Sequence, residues 1–162
     1  MALVKTLIFT LLVPGTVTVA LPYCLLTRGP QIFPFELGGL RFLAIAPIVF
    51  GVVIYLWCAG AFALIGKGTP APIDAPKVLV VRGPYRWTRN PMYVAVLSLL
   101  SGEALFFGSG ALLVYGAVWW IIFSLFIRLY EEPTLRRKFG EPYQEYCASV
   151  PRWIFFRGAR LR

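Results

Sequence analysis

Two stretches of the 162-residue chain concentrate side chains able to bind charge. The first is Arg82-Gly83-Pro84-Tyr85-Arg86-Trp87-Thr88-Arg89-Asn90-Pro91-Met92-Tyr93. The second is Arg128-Leu129-Tyr130-Glu131-Glu132-Pro133, followed by Leu135, Phe139-Gly140, Tyr143, Tyr146 and Val150-Pro151-Arg152-Trp153. Gly83-Pro84 permits a tight turn that brings backbone close to a ligand. Arg89-Asn90-Pro91 enters a helix N-terminus, where free N–H groups favour a carboxylate or phosphate. Arg128 lies three and four residues before Glu131 and Glu132, so all three share one face if the helix continues. An arginine beside paired carboxylates can hold a zwitterion, Arg on its carboxylate and Glu on its ammonium. The aromatics can stack on a purine or line a lipid slot. A plainer reading stands beside this one: an interfacial Arg128–Glu131 ion pair, with Arg86, Trp87 and Arg89 as headgroup anchors.

Histidine is absent. That removes a His haem ligand, a His zinc site and a His general base, and no metal site is expected. Cys24, Cys58 and Cys147 are too dispersed for a CxxC pair and read as free, packed thiols.

The elements that must position these groups are membrane spans. Hydrophobic residues make up 59% of the chain, above the usual half, and mean hydropathy is +0.73. They fall in long blocks, which is the membrane signature. The first runs from about residue 3 to 26, interrupted by Pro14 and Pro22. A signal peptide is the rival reading, but the block is long for one and lacks an A-x-A site. The second runs from about 42 to 65, with no charge between Arg41 and Lys67. Residues 66–90 are rich in charge and proline and cannot span; within them Val78-Leu79-Val80-Val81 reads as a short extended, buried run. The third block starts at Pro91, a good first helical residue, and ends near Phe107. Gly108-Ser109-Gly110 then forces an antiparallel hairpin with a fourth block, 111–130. Glu103 near that turn is expected at the interface, facing water. Residues 131–139 continue the fourth helix beyond the membrane to a stop at Gly140. A last short helix from Pro142 to about Ser149 places Tyr143 and Tyr146 on one face.

The fold expected is therefore an all-α integral membrane protein of about four transmembrane helices, the last two a tight hairpin, with a cytoplasmic loop and short C-terminal helices. The net charge of +9 reports topology and contact with anionic lipid rather than nucleic acid, because the basic residues form no soluble basic face. The second loop and the tail are basic, and the first and third loops are not. By the positive-inside rule the N- and C-termini are cytoplasmic. The hairpin then brings both charged stretches together at the cytoplasmic face.

The stretches taken together resemble the isoprenylcysteine carboxyl methyltransferase family and related membrane phospholipid methyltransferases. The resemblance rests on Gly83-Pro84-Tyr85, Arg89-Asn90-Pro91-Met92-Tyr93, Arg128 with Glu131-Glu132, Leu135, Phe139-Gly140, Tyr143, Tyr146 and Val150-Pro151. It covers about residues 78–153. Asn90 stands where many members have His and cannot act as a base, and the Arg-to-Glu spacing is one residue shorter than in the family pattern. The resemblance implies spans in 1–66 and a cofactor-binding methyltransferase region in 67–162. The cofactor implied is S-adenosyl-L-methionine, held by Val80, Val81, Gly83, Tyr85, Arg89, Asn90, Pro91, Tyr93, Glu131 and Glu132. Arg128 and Glu132 are implied as catalytic, and Arg128, Tyr130, Tyr143 and Tyr146 as facing the acceptor. That acceptor is a lipophilic molecule entering from the bilayer: an isoprenylcysteine-like carboxylate, a lipid or a small thiol. Oligomeric state is not legible. The Lys138-Phe139-Gly140, Tyr146-Cys147 and Val150-Pro151 tail also resembles sterol reductases, which would use NADPH, and a membrane scaffold without activity is the third alternative.

Overall fold

The computed structural model describes residues 8–62 and 78–153. Lys67, Asp74 and Lys77, and the basic residues after Trp153, lie outside the described residues. Every regular element among the described residues is helical, as the apolar blocks predict.

Helix α1 (Ile8–Arg28) contains a π turn over Thr16–Ala20. Pro22 explains how that turn is satisfied. In the π register Leu21 N–H bonds to the Thr16 carbonyl, and Pro22 has no N–H to offer. The Val17 carbonyl is thus left without a helical donor, and the Tyr115 hydroxyl donates to it at 2.9 Å. A neighbouring helix repairs the break, as it must in lipid.

Helix α2 (Gly38–Ala61) begins as a 3-10 segment through Ala44. It packs antiparallel to α3 (Pro91–Phe107), and small residues set the approach. A Cβ on Gly51 would lie 2.6 Å from the Ala95 carbonyl oxygen, and one on Gly102 would lie 2.6 Å from Ile48 Cγ1. Small residues let membrane helices come close enough for dispersion to hold them. The core centred there includes Ile54, Cys58, Ala95, Val96 and Leu100.

The turn after α3 forms where expected. Gly108 is left-handed at φ 61°, and Ser109 caps α4 (Gly110–Phe126) by accepting from Leu112 N–H. The first loop is tied to it, Phe35 N–H donating to the Gly108 carbonyl at 3.0 Å. Glu103 departs from expectation. It is half-buried, and one carboxylate oxygen is shut from solvent with no partner.

Among the described residues three helices are long and apolar enough to cross a membrane: Ile8–Arg28, Gly38–Ala61 and the continuous rod Gly110–Phe139. With 17 residues, α3 is about 25 Å long, short of the ~30 Å hydrocarbon core. The rod holds a second π turn, Ile127–Glu131, between α4 and α5 (Glu132–Phe139). Gly140 at φ 59° ends α5, and α6 (Glu141–Ser149) follows. Tyr143, Tyr146 and Val150 form a second, smaller core against Leu79, Val81, Leu135 and Phe139. The Val78–Val81 run is irregular rather than a strand. Val80 joins the main core while Leu79 and Val81 face the small one, so this segment stitches the two together.

Candidate cofactor-binding site

At the end of the bundle away from the hairpin turn, four pieces converge. They are the 3-10 turn Gly83–Arg86, the start of α3, the π turn before α5, and the residues after α6. Backbone and side-chain bonds lock them together. Arg89 N–H donates to the Pro151 carbonyl at 2.9 Å. Thr88 Oγ1 and Asn90 Nδ2 both donate to the Arg152 carbonyl, at 2.8 and 3.0 Å. The Tyr146 hydroxyl donates to the Tyr85 carbonyl at 2.7 Å. The Val-Pro-Arg tail is thus pinned to the entrance of α3.

Two carboxylates define the electrostatics. Glu132 is buried and held bidentately by Arg152, Nε to Oε1 at 2.8 Å and Nη2 to Oε2 at 2.9 Å. Arg89 Nη1 lies 3.3 Å from the same Oε1. Paired geometry of this kind is the strong form of the interaction. The bond to Glu132 raises Arg152 above its ordinary range, against the cost of its partial burial. One carboxylate therefore stands against two guanidinium groups. Arg89 Nη1 also donates to Cys147 Sγ at 2.7 Å, while its Nε–H is buried without a partner.

Glu131 is different. Its Oε2 accepts from the Tyr93 hydroxyl at 2.8 Å, and among the described residues no cation pairs with it. Burial pushes the Tyr85 phenol well above its ordinary range, with Cys58 and Glu131 adding to the effect. Burial likewise raises Tyr143 and Tyr146. These phenols stay neutral, and burial raises the Glu131 carboxyl as well.

The sequence-predicted residues largely meet. Gly83, Tyr85, Arg89, Asn90, Pro91, Tyr93, Glu131, Glu132, Tyr143 and Tyr146 are all at this end. Val80 and Val81 support it from the two cores. Tyr143 and Tyr146 are buried, their rings 6.2 Å apart, so they build the wall. Arg128 and Tyr130 are exposed. A π turn over Ile127–Glu131 interrupts the α register on which the shared face was expected. Glu131 instead bonds Tyr93, and Glu132 bonds Arg152 and Arg89. Sequence reasoning missed Arg152 and Thr88 as site-builders. Arg152 follows directly on the Val150-Pro151 motif, the one signal available for it.

Next to Tyr93 lies an almost wholly apolar cavity of about 90 Å³, reaching between α1 (Val13, Val17), α2 (Tyr55) and α4 (Trp119, Phe123).

Residues 40–142 match the phospholipid methyltransferase family, and the chain belongs to that family. It is a membrane protein of the methyltransferase class. No match is found among curated proteins.

The residues present suit a zwitterionic cofactor such as S-adenosylmethionine. The orphaned Arg89 Nε–H wants an anion, and Glu131, with no cation beside it, wants an ammonium.

Proposed function

We propose that this chain is an S-adenosylmethionine-dependent methyltransferase acting on a lipophilic acceptor that reaches it from the bilayer. The observation that carries this reading is a pair of incompletely satisfied polar groups at one end of the bundle: Glu131, bonded by Tyr93 with no described cation beside it, and the buried Nε–H of Arg89, which has no partner although its Nη1 meets Glu132. Bound there, the cofactor supplies a methyl group already activated on a sulfonium. The protein's work is then mostly positioning.

In this reading Glu131, oriented by Tyr93, takes the cofactor's ammonium, and Arg89 takes its carboxylate. Glu132 acts one step back as a positioning residue, since both its oxygens are engaged. The backbone of residues 80–85, held by Tyr146 and by packing against Phe62, lines the adenosine side. Exposed Arg128 and Tyr130, where the rod leaves the membrane, meet the acceptor's polar end. The apolar cavity beside Tyr93 takes the start of its chain. A carboxylate or thiolate acceptor needs no base; an amine would have to arrive neutral. With four spans, as we read the chain, this site, both termini and the basic second loop would share the cytoplasmic side by the positive-inside rule.

The test is calorimetry of the purified protein with S-adenosylhomocysteine. Wild type binds; Tyr93→Phe and Glu131→Gln stay folded and bind about tenfold more weakly, as losing a charge-assisted hydrogen bond implies. Unchanged affinity in both variants, or tight binding of NADPH instead, overturns the proposal.

A further inference from the structure

At the opposite end of the bundle, about 20 Å along α3 from Tyr93, the first loop and the hairpin turn border a second cavity. It holds about 480 Å³, within the range of small-molecule sites. Four phenylalanines wall it: Phe35, Phe42, Phe106 and Phe107. Phe106 stacks edge-on against Phe42 and Phe107, at 6.3 and 5.2 Å. The Phe35–Gly108 backbone bond fixes one side, and Gly38 and Gly39 leave the other open, with nothing within 4 Å of a Cβ there.

Two opposite charges line this aromatic cup, Glu36 and Arg41. Both are exposed at the surface. They are not paired with each other, the ion pairs among the described residues being those of Glu132. Arg41 lies over the Phe42 ring at 5.0 Å, and no described residue bonds to Glu36. The cup sits at the ends of the apolar helices α2 and α3, where headgroups would meet helices that cross a bilayer.

We infer that this cup binds the headgroup of a zwitterionic phospholipid in the leaflet opposite the candidate cofactor site. Arg41 would take the phosphate. Glu36 and the phenylalanine faces would take the ammonium, by charge and by cation–π attraction. An anionic headgroup would meet Glu36 unfavourably, and a headgroup-less lipid would leave both charges unanswered. The inference is independent of the methyltransferase reading, because neither Glu36 nor Arg41 belongs to that site.

The experiment is native mass spectrometry of the full chain released from detergent, titrated with short-chain phosphatidylethanolamine, phosphatidylcholine, phosphatidylglycerol and diacylglycerol. Wild type should retain the two zwitterionic lipids in preference to the others. Arg41→Ala should weaken retention of them about tenfold, and Arg41→Lys should restore most of it. Glu36→Gln should abolish the preference over phosphatidylglycerol. All three residue changes are at exposed positions and should leave the melting temperature and S-adenosylhomocysteine affinity unchanged. Retention unaffected by Arg41→Ala and Glu36→Gln overturns the inference. So does retention lost in Glu131→Gln instead, which would place the lipid at the acceptor site. Equal retention of diacylglycerol would reduce the cup to an apolar patch. Displacement by soluble glycerophosphoethanolamine at equal concentration would make the ligand a free headgroup rather than a bilayer lipid.

Discussion

Glu132 is the residue on which the site's stability turns. It neutralises Arg152 bidentately and Arg89 at 3.3 Å, so its loss strands two guanidinium groups. Glu132→Gln is expected to lower stability by about 3 kcal/mol, the scale for breaking a buried pair from one side. Arg152→Ala leaves the Arg89 pairing intact, and the Arg152 side chain is 29% exposed. Its effect should be nearer 1 kcal/mol after solvent screening. Thermal unfolding of both single variants and the double should show strong non-additivity, because all three groups form one network. Additive effects would mean that the contacts are not coupled. Arg128 shows the limit of residue-level reading: its spacing to Glu131 and Glu132 was visible, but the partners those carboxylates take, Tyr93 and Arg152, were not.

At the scale of elements, two contacts carry the architecture. The α3–α4 turn requires Gly108, since φ 61° disfavours any Cβ and one placed there would run into the Phe35 carbonyl. Gly108→Ala should lower stability by about 2 kcal/mol, combining left-handed strain with that collision. The α2–α3 seam is equally specific. Gly102→Val drives methyl groups into Ile48 and the Ala44 carbonyl, and overpacking of this kind costs about 1–3 kcal/mol. Melting curves in detergent check both, with Gly60→Ala as the control, because a Cβ there meets nothing within 4 Å. A melting temperature unchanged by Gly102→Val would mean that α2 and α3 are not in close contact.

For the whole molecule the decisive prediction is sidedness. In a cysteine-free background, Ser149→Cys lies at the cofactor end and Gln31→Cys at the other, both exposed. An impermeant maleimide applied to intact cells should label Gln31→Cys directly and Ser149→Cys only after permeabilisation. Labelling of both from outside would refute a four-span arrangement; the reverse pattern would invert it. The short α3 makes this more than a formality, since its ~25 Å must be matched by local thinning or by partners on both sides.

What composition and spacing determined was the class of structure and the location of its chemistry. Long apolar blocks, Pro91 opening a helix and Gly108-Ser109-Gly110 closing it are local rules with local causes, and α3 formed at the bounds they set. The ordered motifs from Gly83 to Val150-Pro151 were legible too, because each occupies only a few residues. The division of labour among the charges depended on the folded chain alone. Arg152 reaches Glu132 across twenty residues, and Tyr93 reaches Glu131 across thirty-eight. Such pairings depend on the π register at Ile127–Glu131 and on the tail folding back over the entrance of α3. Neither follows from helical periodicity, because a π turn and a returning tail are stabilised by the partners they meet.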